Sequence, residues 1–546
     1  RRDFFMLILE AADIKKYYGD RLIIEIDELK VYSGDKIGIV GPNGSGKTTL
    51  MNILAKDIEP DRGFVKHYSH VAYIRQFSDE GIRADQKLLK EFNLACKSHQ
   101  RVFSGGEKTR IKIANAFSNE SILLLADEPT ANLDYKGVEL LKQKLSKVDS
   151  LILISHDRHL LDSLCNKIIE VKDGKLKYYN GNYSFYKKQS EIEYESALQE
   201  YEKYISEKAS IEAAIKDRLE RSKSMRKAPK RMGNSEARLH KREATEKQKK
   251  IHNSINSMLT RLNKLEVKEK PKDLPKIKLD FSLTMPPENR IVIAAENLSF
   301  SYGTKKIFDR VCFNIPNGSK TALWGENGTG KSTLLNLIYQ NSSSSIRIVP
   351  KAKIGYFYQA FDNLEYDKTV LENVMRDSVQ TQSVVRTILA RLLFKTDDVF
   401  KKVECLSGGE RIKVSFAKLF VSDANILLLD EPTNYLDIQS IEALENVLKD
   451  YEGTVLFVSH DSEFVNSVAD RILVFENGII TAFEGKLEDY WQSRQKSKDS
   501  SAWETEKIIL EMKISEIVAK LSSPSADKEF LEAEYQRLVS KLKTIK

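Results

Sequence analysis

Two runs of this chain have the residue types and spacing that phosphate chemistry needs. Gly41-Pro-Asn-Gly-Ser-Gly-Lys-Thr-Thr49 and Gly325-Glu-Asn-Gly-Thr-Gly-Lys-Ser-Thr333 both read Gly-x-x-x-x-Gly-Lys-[Ser/Thr]. Gly41, Gly44 and Gly46, and likewise Gly325, Gly328 and Gly330, let backbone N–H groups wrap phosphate oxygens. Lys47 and Lys331 would neutralise β and γ phosphates, and Thr48 and Ser332 would offer a hydroxyl to Mg²⁺. Further on, Asp127-Glu-Pro-Thr130 and Asp430-Glu-Pro-Thr433 supply paired carboxylates. Asp127 and Asp430 are suited to the Mg²⁺ shell, Glu128 and Glu431 to polarising an attacking water. Ser155-His156-Asp157 and Ser459-His460-Asp461 each offer an imidazole to a γ-phosphate. One histidine after a strand is usually structural, but two at matching positions favour function.

The neighbouring residues must position these groups. Lys36 to Val40 and Thr321 to Trp324 read as apolar strands before the glycine loops, with helices opening at Thr49-Leu50 and Thr333-Leu334. Ile122 to Ala126 and Ile426 to Leu429 read as buried parallel strands, so their trailing carboxylates emerge at the carboxyl end, where nucleotides sit. The chain also repeats itself. Tyr18-Gly19 recurs as Tyr302-Gly303 and the first glycine loop as the second, both offset by 284 residues. Ser104-Gly-Gly-Glu107 recurs as Ser407-Gly-Gly-Glu410, and the Asp-Glu-Pro-Thr runs recur likewise, offset by 303. The second copy gains about twenty residues between Gln359, which matches Gln76, and its Ser-Gly-Gly. A repeat of this length is a duplicated domain, not a solenoid.

Length and composition agree. The 546 residues exceed one core and fit two domains plus extras. With 41% hydrophobic and 30% charged residues, the composition is that of a soluble globular chain. No apolar run reaches the roughly 18 residues of a membrane helix, so no membrane partner is expected. Arg1-Arg2 and the short apolar stretch Phe4 to Leu9 read as a first strand rather than a signal peptide. Cys96, Cys165, Cys312 and Cys405 form no Cys-x-x-Cys pair, which argues against zinc and a disulfide framework. A cytoplasmic protein is expected.

Between the copies lies a charged stretch with helical spacing. Tyr194, Leu198, Tyr201, Ile205, Lys208, Glu212, Ile215 and Leu219 alternate in steps of four and three, and Ile251, Ile255, Met258, Leu262 and Leu265 do so on the way back. This predicts a two-helix coiled coil whose seam is weak at Lys208 and Glu212. From Lys216 to Lys250 fourteen Lys and Arg face five acidic residues, a local charge of +9 against +8 for the whole chain. Charge at the end of a projecting lever points to a polyanion, RNA or DNA. The turn near 225–238 makes Arg226, Lys227, Lys230, Arg231 and Arg238 candidate RNA contacts. After Trp491, helical spacing on both sides of Pro524 predicts a smaller C-terminal helical hairpin.

These motifs together resemble ATP-binding-cassette (ABC) domains: Walker A loops, glutamine loops, Ser-Gly-Gly-Glu signatures, Walker B acids, the Asn132-Leu133-Asp134 and Tyr435-Leu436-Asp437 D-loops, and the switch histidines. The resemblance implies an α/β fold of two P-loop ATPase domains forming an intramolecular head-to-tail sandwich in a monomer. Two ATP would be held, each between one Walker A and the opposite signature. The first Walker A supplies Gly41, Asn43, Gly44, Ser45, Gly46, Lys47, Thr48 and Thr49, with Gln76; the second supplies Gly325, Asn327, Gly328, Thr329, Gly330, Lys331, Ser332 and Thr333, with Gln359. Ser407, Gly408, Gly409 and Glu410 would complete the first site, Ser104, Gly105, Gly106 and Glu107 the second, and Tyr18 and Tyr302 would stack on adenine.

Two cassettes joined by a basic hairpin resemble the ABC-F subfamily. The linker run Lys230-Arg-Met-Gly-Asn-Ser-Glu-Ala-Arg238 looks most like Vga-type antibiotic-resistance members. The expected division is 1–186 first ATPase domain, 187–270 linker hairpin, 271–491 second ATPase domain and 492–546 helical extension. The implied partner is the bacterial 70S ribosome: rRNA, the exit-site region and P-site tRNA. The implied role is protection from lincosamides, pleuromutilins and A-type streptogramins. A housekeeping translation factor of the subfamily is the alternative; its usual arm inside the first cassette has no room in Phe77 to Phe103. A DNA-maintenance ATPase or an exporter subunit fits the motif order less well.

Overall fold

The computed structural model describes residues 6–76, 86–92, 94, 103, 105–118, 121–224, 234–268, 287–357, 364–476, 478–494 and 536–538, and for 86, 224 and 234–248 the backbone alone. Each cassette has two sheets. In the first, strand Leu7–Tyr18 lies between antiparallel partners Arg21–Tyr32 and Arg62–His67. Its counterpart, Ile291–Tyr302, lies between Lys305–Pro316 and Ile346–Ile348. The hairpin turns leave Tyr18 and Tyr302 exposed at matching ends.

The larger sheet has six strands, ordered Val71–Ile74, Leu123–Asp127, Ser150–Ile154, Lys36–Val40, Lys167–Lys172 and Lys175–Tyr179, parallel except the last. The second cassette repeats the order with Ile354–Phe357, Ile426–Asp430, Thr454–Val458, Lys320–Gly325, Arg471–Glu476 and Ile479–Glu484. Residues 123–127 and 150–154 are buried throughout, as strands covered on both faces require. One expected boundary moves: Ile122 is exposed, and the strand runs from Leu123 into Asp127 itself. Parallel order brings Val40, Asp127 and Ile154 to one edge, where the two following turns carry the glycine loop and His156. The extra residues of the second copy include two helices, Val370–Arg376 and Gln382–Arg391.

The linker is two long helices, an outgoing one at Tyr183–Ser224 and a return one at Asn234–Lys264. At about 1.5 Å per residue the outgoing helix is about 63 Å long. It starts within the expected first domain, so residue 187 lies inside it. The return seam is as expected, with Ile255 buried and Ile251, Met258, Leu262 and Leu265 partly covered. The outgoing seam keeps Tyr194, Leu198, Tyr201, Lys208 and Ile215 partly covered, as expected, and departs from the expectation at three positions. Ile205, Glu212 and Leu219 are exposed, while Tyr204, Ile211 and Arg218 face inward. A three-residue step after Tyr201 replaces the expected four. That step puts apolar Ile211, rather than Glu212, in the seam, and burying a carboxylate without a partner is the costlier choice. Arg218 then donates through Nη1 to Ser254 Oγ at 2.8 Å. The tip candidates Arg226, Lys227, Lys230 and Arg231 lie outside the described residues, as do the side chain of Arg238 and nearly all of the C-terminal extension.

Candidate nucleotide sites between the cassettes

Several helix N-termini of the cassettes are closed by side chains. At those opening at residues 135, 158, 438 and 462, Asp134, Asp157, Asp437 and Asp461 each accept a backbone N–H three residues on. Helix Gly408–Val421 is closed by a capping box between Ser407 and Glu410. The two glycine-loop helices, Lys47–Leu54 and Lys331–Gln340, have no side-chain cap. They begin at Gly46 and Gly330, with φ of 99° and 102°, a conformation open to glycine. Their N–H groups and positive dipole ends are left for an anion. Both helices start at the lysine, two residues earlier than the sequence suggested, so Thr48 and Ser332 lie in the first turn.

Around each open helix end the other candidates converge. Lys47 Nζ donates to the Gly41 and Pro42 carbonyls at 2.8 and 2.9 Å, and Lys331 Nζ to Gly325 and Glu326 at 2.8 Å each. Burial lowers both lysine pKa values, opposed chiefly by Glu128 and Glu431 respectively. Ser332 Oγ donates to Asp430 Oδ1 at 3.1 Å. In the first cassette burial raises the Asp127 pKa, opposed by the Thr48 hydroxyl and Lys47. Yet neither Asp127 oxygen has a hydrogen bond of good geometry, and Ser45 Oγ is buried with no partner. Hydroxyl plus carboxylate is a hard-oxygen set that fits Mg²⁺. Among the described residues no three His, Cys, Asp or Glu converge into a cage, so nucleotide and water oxygens would complete the shell.

Glu128 and Glu431 both sit at φ 47°, strained for a non-glycine residue and identical in the two copies. Glu128 N–H donates to Ile154 O and Glu431 N–H to Val458 O, at 2.9 and 3.0 Å. His156 Nε2 is 3.3 Å from Glu128 Oε1, and His460 Nε2 is 3.4 Å from Glu431 Oε1. Burial, then the neighbouring aspartate, pushes Glu128 up to about 8 and Glu431 up to about 7. Burial also takes both histidines down to about 3. At neutral pH the imidazoles are uncharged. Asn327 Nδ2 donates to Asn132 O at 3.1 Å, so its Oδ1 accepts, and His460 Nε2, 2.9 Å away, carries the proton.

The sites are closed across the chain. Asn43 N–H donates to Asp437 Oδ2 at 2.7 Å and Asn43 Nδ2 to Tyr435 O at 2.9 Å. Asn327 N–H donates to Asp134 Oδ2 at 3.2 Å. A Cβ on Gly409 would lie 2.8 Å from Asn43 Nδ2, and one on Gly106 would lie 3.4 Å from Asn327 Nδ2. Each signature therefore abuts the opposite Walker A loop. The D-loop aspartates are functional positions that motif reading named without a task. Each carboxylate caps its own helix and holds the other cassette's loop. Burial raises their pKa, but hydrogen bonds outweigh it: the Asn327 and Gly137 N–H groups and then Arg110 lower Asp134, and Ser440 and Asn43 lower Asp437.

The remaining candidates are placed less tightly. Gln76 borders a cleft of about 460 Å³ with Gly105, Asp127, Glu128, Asn132 and Tyr435. Glu410 spends its carboxylate on the cap, accepting from Ser407 Oγ at 2.7 Å, so Gly408 and Gly409 present backbone. Glu107 lies in the first turn of the matching helix. Thr329 Oγ1 donates to Glu326 O at 2.9 Å. Gly44 and Gly328 face open space; Thr49 and Thr333 are partly covered in the first helical turn. Tyr302 meets Phe300 edge-on at 5.0 Å. Ser104 and Gln359 lie outside the described residues.

Comparison with known proteins places this geometry. The family model described as ABC transporter matches residues 25–131 and 308–434. The erythromycin resistance ATP-binding protein MsrA of Staphylococcus epidermidis is 35% identical, over 80% of this chain and 91% of its own. The ribosome protection protein VmlR of Bacillus subtilis (strain 168) is 32% identical, over 89% and 88%. ABC transporter F family member 5 of Arabidopsis thaliana is 30% identical, over 94% and 81%. An archaeal ribosome recycling factor, aABCE1, solved with ribosomal stalk protein aP1, shares the fold at TM-score 0.58 and 20% identity, over 87% and 90%. Among the described residues no helix is long and apolar enough to cross a membrane.

Proposed function

The chain belongs to the ABC-F family of ATPases, and on that premise we propose that ATP closes the two cassettes into a state that docks on the bacterial ribosome. The observation that carries this is the crossed closure: Walker A loop, opposite signature glycine and opposite D-loop aspartate meet at both sites. Two ATP bind there. Lys47 and Lys331 and the open helix ends hold the phosphates, Tyr18 and Tyr302 stack on adenine, and Thr48 with Asp127 and Ser332 with Asp430 hold Mg²⁺. The ion neutralises phosphate charge. Glu128 and Glu431, beside neutral His156 and His460, orient the attacking water, so positioning and charge neutralisation supply most of the catalysis.

The hairpin carries the output. Its basic turn, with Arg226, Lys227, Lys230, Arg231 and Arg238, reaches from the tRNA exit site toward the peptidyl-transferase centre and contacts rRNA or P-site tRNA. There it promotes release of a lincosamide, pleuromutilin or A-type streptogramin, and hydrolysis then frees the protein. The printed names of two relatives, ribosome protection and erythromycin resistance, support this reading and add a macrolide to the drugs worth testing.

The test is cell-free bacterial translation stalled by each drug, with purified protein and ATP. Restored synthesis with the intact protein, but not with Glu128→Gln/Glu431→Gln, is the expected result. No rescue from any drug class, despite ribosome-stimulated ATP hydrolysis, would overturn drug protection and leave a housekeeping translation factor.

A further inference from the structure

The helices that leave the two cassettes occupy matching places. With His156 aligned to His460, Gly181 matches Gly485, Tyr186 matches Tyr490, and Lys187 matches Trp491. Both helices are anchored alike at home: Tyr186 meets Tyr179 at 4.9 Å and Tyr490 meets Phe483 at 5.5 Å, both edge-on. Both then reach across to the opposite cassette, onto the helix that follows the D-loop. Lys187 pairs with Glu442 on helix Ile438–Asp450. Trp491 packs 5.8 Å from Tyr135, the first residue of helix Tyr135–Ser146, and Tyr135 packs 5.7 Å from Trp324 beside the second Walker A.

The two crossings differ in chemistry. On the Lys187 side, Arg158 is enclosed by glutamates of the second cassette. It pairs with buried Glu445, and its Nε is 2.7 Å from Glu463 and its Nη1 3.8 Å from Glu442. Ser467 Oγ donates to the other Glu445 oxygen at 2.8 Å. On the Trp491 side the matching positions are Glu139, Lys142, His159 and Ser462, which line an open cleft of about 470 Å³. One exposed pair, Lys136 with Glu326, crosses there. Charged hydrogen bonds fix geometry and lose strength once water enters, whereas ring contacts are held chiefly by the area they bury.

We propose that the Lys187–Glu442 contact is the element by which cassette closure aims the hairpin. The outgoing helix has two footings near its start. Tyr186 and the Ser184 N–H bond to Asp162 Oδ1 (2.7 Å) fix it to the first cassette. Lys187, one turn on, fixes its direction against the second. A closed sandwich engages both footings; an open one leaves only the first. Over a helix of about 63 Å, a tilt of about 5° at the base moves the far end by about 5 Å. The proposal rests on the reading that nucleotide closes the cassettes.

The experiment is pulsed electron–electron distance measurement on the full chain without ribosomes. Spin labels go on native Cys405, exposed on the second cassette, and on a cysteine replacing exposed Ile205, with Cys96 and Cys312 changed to serine. With a non-hydrolysable ATP analogue the parent should give one narrow distance, which broadens without nucleotide. Lys187→Gln and Glu442→Gln should broaden it in the presence of nucleotide, Lys187→Arg should restore it, and Trp491→Ala should leave it narrow. ATP hydrolysis by all four should stay within about twofold of the parent. Because Lys187 and Glu442 are partly exposed, raising salt should mimic Lys187→Gln. A parent distance indifferent to nucleotide overturns the closure reading and this proposal with it. A nucleotide-responsive distance that Lys187→Gln leaves narrow overturns this proposal alone.

Discussion

The cassette interface and the linker hairpin are built on opposite principles. At the interface each D-loop aspartate has two obligations, a helix cap and the opposite glycine loop, so moving one residue breaks both. The hairpin is held along one seam, where, among the described residues, Ile211 and Ile255 are the buried aliphatics and most other positions are half-covered or exposed. A dense network fixes chemistry to an ångström; a thin seam permits a projecting arm but tolerates a change of phase. The first suits phosphoryl transfer, the second reach.

Four sets of substitutions sharpen that contrast. The largest effect belongs to the strained glutamates: Glu128→Gln with Glu431→Gln should lower ATP turnover by about 10²–10⁴-fold while ATP is still bound, read by single-turnover hydrolysis beside equilibrium binding. Full turnover would show that neither carboxylate acts on the water.

Next comes the interface. Asp437→Asn keeps an oxygen for the cap but turns an amide toward the Asn43 N–H, removing a charged hydrogen bond of about 1.5–3 kcal/mol. Nucleotide affinity should fall by about tenfold or more, measured by titration. The same contact gives a pH sign. The folded Asp134 and Asp437 carboxyls lie below their usual 3.8, so their support for closure is fully present above that value. It is lost as pH falls through the lowered values. Nucleotide-driven closure that strengthened on acidification from about pH 5 to about pH 3 would contradict this.

The hairpin should respond by register. Ile211→Ser removes a buried seam residue and should cost about 1–3 kcal/mol of hairpin stability, seen as lost amide-exchange protection in the outgoing helix. Ile205→Ser, one of the expected seam positions, should change it by under about 0.5 kcal/mol. The reverse ranking would restore the four-residue step after Tyr201. The smallest effect on hydrolysis is expected at Asn327→Ala, which leaves His460 Nε2 beside Glu431 without its amide partner and removes the bond to Asn132. Hydrolysis should fall by about fivefold, and Asn43→Ala should compare the other site, where His156 lies against Glu128.

Local chemistry made the candidate nucleotide sites legible. A glycine loop before a lysine, an Asp-Glu after an apolar run and a histidine after a third such run are each constraints between near neighbours in the chain, and duplication wrote them twice. The parallel sheet then had to bring them to one edge. Boundaries drifted by one or two residues, as at Ile122 and Lys47, because the exact end of a strand or helix depends on which backbone groups find partners.

What the sequence determined alone was the class of chemistry, the duplication and the presence of a basic two-helix arm. Tertiary structure decided three things. It set the pairing of each Walker A loop with the other copy's D-loop, the second task of Asp134 and Asp437, and the phase of the outgoing seam. Each depends on contacts between residues far apart in the chain: Asn43 and Asp437 are brought together only when both sheets are folded and face one another. The spacing admits either a three- or a four-residue step after Tyr201, and the partner helix, which offers Ser254 to Arg218, separates them by burial and hydrogen bonding.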